Sequence, residues 1–319
     1  MKSILITGGA GFIGSNLTEL LVEKYPNYKF VVIDLLTYAG DMHNLMNVKS
    51  AKNFTFVNGN ICDRSLIERI FQHYYINNVI HLAAESHVDN SITGPRKFID
   101  TNIIGTFNLL ENLKQSNLKK FIHISTDEVF GSLNIKDNPF DIDSPYRPNS
   151  PYAASKAASD LLVRSYFKTY KFPAIITNCS NNFGPRQFPE KLIPLAINKL
   201  KVKEAIPVYG TGENIRDWIY VKDHVNAIIR VMQDGIIGKQ YLIGGDNEIS
   251  NSDLIQTIKD VYEELTQTKV EWEWYKHVED RKGHDYRYAI NNWELNQEFP
   301  DFKLSNFRQS LKDTVQSYL

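Results

Sequence analysis

The 319-residue sequence predicts an α/β fold, a doubly wound parallel sheet with a smaller C-terminal α/β lobe. Three observations lead there. Short β-branched runs alternate with longer amphipathic stretches through the first half, the pattern of strands joined by helical crossovers. A glycine-rich turn follows the first apolar run at once. After about residue 180 the alternation loosens, and Pro185, Pro189, Pro194 and Pro207 cut the chain into short pieces.

The expected strands, in order, are Ser3–Thr7, Phe30–Asp34, Thr55–Asn58, Val79–Ala83, Lys120–Ser125 and Ala174–Asn178, each a brief apolar or β-branched run. Helices are expected near 12–25, 64–75, 96–116 and 151–170. Right-handed crossovers place such helices on both faces of a parallel sheet. A first domain over 1–180, with a return of about 217–245, and a second lobe over 181–319 follow from this order.

A net charge of −1, with acids and bases mixed along the chain, leaves no basic stripe for a nucleic acid. Cys62 and Cys179 stand far apart without CxxC spacing and are expected to be free thiols. His81, His87 and His284 form no metal-ligand spacing, so no metal is expected. The sequence shows no signal-peptide pattern and no apolar run of membrane-spanning length, which predicts a soluble, cytoplasmic protein.

The glycine turn reads ILITGGAGFIGSNL, with Gly8, Gly11 and Gly14 three apart and Gly9 completing a GxGxxG spacing. Glycines there allow a tight turn, close approach of backbone to a pyrophosphate, and packing of the following helix on its strand. Asp34 ends the next strand twenty residues beyond Gly14. A carboxylate at that point accepts hydrogen bonds from ribose hydroxyls and repels a 2′-phosphate, which favours NAD over NADP in a Rossmann-type domain.

Further on, SPYAASKAASDLL places Tyr152 and Lys156 four apart, on one face of a helix. An ammonium beside a phenol lowers its pKa, so the tyrosine can act as a base near neutrality. Upstream lies HISTDEVFGS, where Thr126, Asp127 and Glu128 follow a strand.

With TGGAGFIG, Asp34, the HLAAES strand end and YxxxK in this order, the chain resembles the extended short-chain dehydrogenase/reductases, over nearly its whole length. Within that family, STDEVF and the stretches LTYAGD, AAESHVDNSITGP, NCSNNFGPRQFPEKLIP, NIRDWIYVKDH and DRKGHDYRYAI are similar to dTDP-glucose 4,6-dehydratases. The resemblance implies a homodimer through a four-helix interface of the 96–116 and 151–170 helices, and a place in deoxysugar synthesis of the dTDP-rhamnose type. It implies oxidation of the C4 hydroxyl of dTDP-glucose, with Tyr152 as base, Lys156 beside it and Thr126 orienting. Glu128 then removes the C5 proton, Asp127 assists departure of the C6 hydroxyl, and hydride returns at C6.

The same resemblance assigns cofactor contacts to Gly8, Gly11, Phe12, Ile13, Gly14, Asp34, Leu35, Leu36, Thr37, Asn60, Ile61, Leu82, Ala83, Ala84, Ser86, Thr101, Tyr152, Lys156 and Asn182. Substrate contacts fall on Ser86, Thr126, Asn181, Lys191, Leu192, Pro207, Val208, Tyr209, Arg216, Asn251, Asp280, Arg281, Lys282, Gly283 and His284. Arg suits forked contact with a diphosphate, which Arg216 in NIRDW offers, with Arg186 and Arg281 as further candidates. Three positions depart from the family pattern: Asn60 stands for Asp, Phe130 for Tyr and Lys282 for Pro. Rival expectations are a UDP-glucose 4,6-dehydratase, a nucleotide-sugar 4-epimerase that has no need of Asp127 and Glu128, and a non-catalytic NAD-binding regulator.

Overall fold

The computed structural model describes residues 2–319. Among them are twelve strands: β1 (Ser3–Thr7), β2 (Lys29–Asp34), β3 (Phe54–Asn58), β4 (Asn78–His81), β5 (Lys120–Thr126), β6 (Ala174–Cys179), β7 (Asn181–Phe183), β8 (Ile206–Tyr209), β9 (Ile215–Tyr220), β10 (Gln240–Ile243), β11 (Glu248–Ser250) and β12 (Tyr275–Val278). The chain forms two compact units, each gathered from separated stretches. The first comprises residues up to Val129, Ser150–Asn178 and Val225–Tyr241; the second comprises Phe130–Asn149, Cys179–His224 and Leu242–Leu319. Beside the division expected at residue 180, the 130–149 stretch falls in the second unit, and the returning segment is 225–241 rather than 217–245.

In the first unit a seven-stranded sheet runs β10-β6-β5-β4-β1-β2-β3. β1 is parallel to both β2 and β4, β2 to β3, and β4 to β5. All five residues of β1 are buried, as a strand covered on both faces requires. Leu5, Val31, Val79 and Phe121 pack with Leu109, Leu110, Leu113 and Val163 in one sealed core. The strand order reverses between β1 and β4, the place where the carboxyl ends of a doubly wound sheet open a crevice for a nucleotide.

Local chemistry sets the helix ends. Asp63 accepts from Leu66 N at 3.0 Å to start helix Arg64–Tyr74, and Ser150 accepts from Ala153 N at 3.1 Å ahead of Pro151 to start helix Pro151–Tyr170. Two expectations are corrected. β4 stops at His81 instead of Ala83, because Leu82 and Ala83 turn to meet the glycine loop: Leu82 N donates to Thr7 O and Ala83 N to Thr7 Oγ1. The 96–116 stretch is not one α-helix but Arg96–Phe98, a π-helical Ile99–Gly105 and an α-helical Thr106–Leu113. The wider π turn goes with Asn102 being drawn into side-chain bonds described below, and a Cβ at Gly105 would come within 2.5 Å of Ile61. A short helix, Val88–Thr93, was not expected.

In the second unit, β9 is antiparallel to β11 and parallel to β7, and β8 pairs in parallel with β12. The 130–149 stretch is fastened there by Leu133 N to Arg287 O, Phe140 N to Ala289 O and Asn291 N to Phe140 O. The Arg287 guanidinium adds bonds to the carbonyls of Asn134 and Asp137. Among the described residues no helix is long and apolar enough to cross a membrane.

Candidate active site

The glycine loop of the first unit is shaped by contact. Gly8 has φ +71°, and a Cβ there would stand 2.6 Å from Ala83 N. At Gly14 a Cβ would stand 2.1 Å from Gly8 O, so helix Phe12–Lys24 lies directly on the turn. Gly11 caps that helix without a side-chain bond, and no acid occupies its first turn, so the positive end of its dipole is left for an anion. At the tip of β2 the Asp34 carboxylate accepts from Ala10 N and Leu36 N, both at 2.9 Å, which fixes its direction. Turn, helix end and oriented acid together fit a dinucleotide. Leu35 and Thr37 are exposed beside Asp34, and Leu36 adopts φ +55°. Tyr38, which the sequence reading missed, brings its hydroxyl 3.3 Å from both Ser86 Oγ and Ser86 N. The Asn60 carbonyl accepts from Cys62 N at 2.9 Å, closing the turn after β3, and Ile61 beside it is buried.

Asn102 is a second residue the sequence reading passed over. From the π-helical segment its amide donates to Glu85 O and Ser155 Oγ and accepts from Glu85 N. Ser155 Oγ in turn donates to Tyr152 O at 2.7 Å. The loop after β4, with Leu82, Ala83, Ala84 and Ser86, is thereby tied to the helix that carries Tyr152; Thr101 sits half-buried next to the clamp.

β5 delivers Thr126 to its end, and one 3₁₀ turn, Asp127–Phe130, follows. The Thr126 hydroxyl donates to Asp127 Oδ1 at 3.2 Å and accepts from Glu128 N at 3.3 Å. Asp127 is 1% exposed, whereas Glu128 is half-buried. Tyr152 and Lys156 lie one turn apart on helix Pro151–Tyr170. Lys156 Nζ, buried, donates to Ile124 O at 2.8 Å, and the Phe98 ring meets Tyr152 edge-on. All five expected catalytic residues therefore belong to the first unit, on β5's end and the helix packed beside it.

Beneath them, His81 is set by Thr7 Oγ1 at 2.7 Å and Thr106 Oγ1 at 2.9 Å, and burial holds it well below the usual histidine pKa. Because Thr106 donates to Asn102 O, its oxygen accepts the imidazole Nε2–H. His123 is likewise pushed down, first by burial and then by the charge of Lys156.

The remaining expected residues lie in the second unit. Arg216 is buried; its guanidinium donates to the carbonyls of Ile215, Tyr286 and Asp285 and stacks 4.3 Å from the Tyr288 centroid. It ties β9 to the 280–290 loop, a use the sequence pattern did not signal. Arg281 stands over the exposed Tyr209 ring, and His284 meets that ring edge-on while bonding Asp280 at 2.6 Å. Lys282 and Gly283 are exposed in the same loop. Pro207 and Val208 pair with Lys276 and His277 on β12, Lys191 precedes helix Leu192–Lys201, and Asn251 opens helix Asn251–Thr266. Asn181 pairs with Trp218. Asn182, expected at the cofactor, donates to Ser180 O and accepts from His224 within the second unit. Cys62 and Cys179 are free thiols.

Residues 5–305 match the GDP-mannose 4,6 dehydratase family. The dTDP-glucose 4,6-dehydratase of Neisseria meningitidis is 44% identical, over 100% of this chain and 94% of that one. The Salmonella typhimurium enzyme of the same name is 45% identical over 99% and 92%. The chain belongs to the dTDP-glucose 4,6-dehydratase family. The solved structure of the family member from Bacillus anthracis, in complex with NAD, superposes with a TM-score of 0.90 at 41% identity over 100% of this chain and 96% of that one. The Streptomyces venezuelae member, also with NAD bound, gives 0.92 at 40% identity over 99% and 96%. A UDP-glucose 4-epimerase from Thermotoga maritima shares the fold, with a TM-score of 0.89 at 29% identity over 99% of this chain and 98% of that one.

Proposed function

We propose that this chain is an NAD-dependent dTDP-glucose 4,6-dehydratase, which converts dTDP-glucose to dTDP-4-keto-6-deoxyglucose and water. One observation carries the reading: Thr126, Asp127 and Glu128 are held at the end of β5 beside the Tyr152–Lys156 helix. An epimerase needs the tyrosine and lysine but has no task for two adjacent carboxyls.

Tyr152, with the Lys156 ammonium one turn away, takes the proton of the C4 hydroxyl. NAD, when bound, accepts the C4 hydride and provides for its return at C6. Gly8, Gly11, Gly14 and Asp34 are the groups of this chain that would hold it. The C4 ketone acidifies the C5 proton, which Glu128 removes. Asp127, already bonded to the Thr126 hydroxyl, protonates the C6 hydroxyl as it leaves, and C5 regains a proton at the end. Tyr209, Arg281 and His284 form an aromatic and cationic surface suited to a nucleoside diphosphate.

A homodimer fits the exposed apolar side chains Ile99, Ile104, Phe107 and Leu161 on the two helices expected to pair. The product class suits deoxysugar synthesis of the dTDP-rhamnose type, in the cytoplasm. The deciding experiment incubates the purified protein with dTDP-glucose, UDP-glucose and GDP-mannose and follows the absorbance of 4-keto products. Dehydration of dTDP-glucose in preference to the others is expected; a 4-epimer as sole product, or no turnover, overturns the proposal.

A further inference from the structure

A buried polar cluster lies under the catalytic helix, and the reaction described above does not use it. Asp160 is one turn beyond Lys156 on helix Pro151–Tyr170, 1% exposed. On β5, three residues before Thr126, fully buried His123 brings Nε2 to 3.0 Å from Asp160 Oδ1 and 3.2 Å from Ser159 Oγ. The other Asp160 oxygen accepts from Asn178 Nδ2 on β6, at 3.1 Å. That same amide donates to Thr126 O at 3.0 Å, and Gln240 on β10 donates to its carbonyl at 2.8 Å. Two strands and one helix thus meet at a single carboxyl, and β10 reaches it through Asn178.

We infer that Asp160 and His123 are positioning residues: a buried carboxylate, oriented by a neutral imidazole, balances the buried Lys156 ammonium and thereby sets the ionisation of Tyr152. The inference rests on the dehydratase reading for its consequence, not for its geometry. An ammonium as secluded as Lys156 is stable only if opposite charge stands near. Residues four apart on a helix are neighbours, and His123 senses the charges of both Lys156 and Asp160. The groups facing the carboxylate can be taken element by element. β5 contributes His123, β4 contributes His81 with its ring 5.3 Å from that of His123, and β6 contributes the uncharged Asn178. The helix itself contributes Lys156 and Ser159, and Asp127 stands beyond Thr126. Both imidazoles are held neutral by burial, which leaves the Asp160 carboxyl and the Lys156 amine as the acid and base of the cluster. Since Ser159 Oγ donates to Lys156 O, it accepts from His123, which therefore carries its proton on Nε2.

The test is a tyrosinate absorbance titration of the protein with its bound cofactor, subtracting a Tyr152→Phe sample so that Tyr152 alone is read. Taking the two groups as roughly 12 Å apart along the helix, Asp160→Asn should move the Tyr152 midpoint down by about one pH unit. His123→Leu, which removes the imidazole that faces the carboxyl, should do the same. His123→Gln, which restores an N–H at the Nε2 position, should return the midpoint to the wild-type value. If Asp160→Asn does not fold, the two His123 variants decide. Unshifted midpoints in both Asp160→Asn and His123→Leu overturn the inference, as does a shift in His123→Gln equal to that in His123→Leu. The titration needs no sugar, so its failure is separate from failure of the dehydratase assay.

Discussion

Gly14 tolerates no side chain, because a Cβ would collide with Gly8 O rather than with anything able to move aside. Gly14→Ala should therefore cost more than about 1 kcal/mol of stability and strip the protein of its cofactor, read as a lower melting temperature and a lower 260 to 280 nm absorbance ratio. At the catalytic end the roles separate by variant. Tyr152→Phe should lower turnover by roughly 10²- to 10⁴-fold by removing the first proton transfer. Asp127→Asn combined with Glu128→Gln should still pass the C4 hydride to the nicotinamide but release almost no water. The check is the absorbance of the reduced nicotinamide on adding dTDP-glucose, with mass spectrometry of the nucleotide sugar for the loss of water, and normal product formation in the double variant would refute these assignments. Arg216 and Asn182 also have structural partners that the sequence did not signal: the guanidinium bonds neighbouring backbone, and the amide pairs with His224.

Strands and helices were legible where one physical force governs them. β1, β2 and β5 are apolar runs buried on both faces, and their limits follow from composition within a residue. Helix Pro151–Tyr170 matches the expected 151–170, and the structure shows why it starts there: Ser150 caps it ahead of Pro151. The 96–113 region was misread because periodicity reports only that apolar residues recur, not that a polar one inside the run bends the ladder. Asn102 makes three bonds to partners distant in sequence, and only the folded chain shows them. Asn102→Ala would leave Glu85 N and Glu85 O without that partner. It should destabilise the protein by about 1–3 kcal/mol in urea unfolding and raise KM for the cofactor through the loosened loop. An unchanged urea midpoint would show the clamp to be dispensable.

Across the whole molecule, three buried histidines set a common response to acid. His81 and His123 lie below the usual histidine pKa and His224 is pushed down to about 3, in each case first by burial. The unfolded chain titrates these groups near pH 6.5, so between that value and the folded one it binds more protons than the native state. Stability is complete above about pH 6.5 and declines as pH falls below it, by up to roughly 1.4 kcal/mol per pH unit for each histidine. Urea midpoints at pH 7.5, 6.0 and 5.0 should fall in that order, and a constant midpoint would contradict the burial argument. Phe107→Asp, on the exposed apolar helix face, should convert the proposed dimer to a monomer in light scattering. The two compact units are threaded through one another in sequence, since the second takes its first stretch at 130–149 and the first takes its last at 225–241. During synthesis, then, neither half can be finished by the time the ribosome has passed the middle of the message. β10, the outermost strand beside β6, arrives some sixty residues after its neighbour. A messenger truncated near codon 180 would yield a sheet with an uncovered edge and a dangling 130–149 loop, a species suited to proteolysis rather than to half an activity.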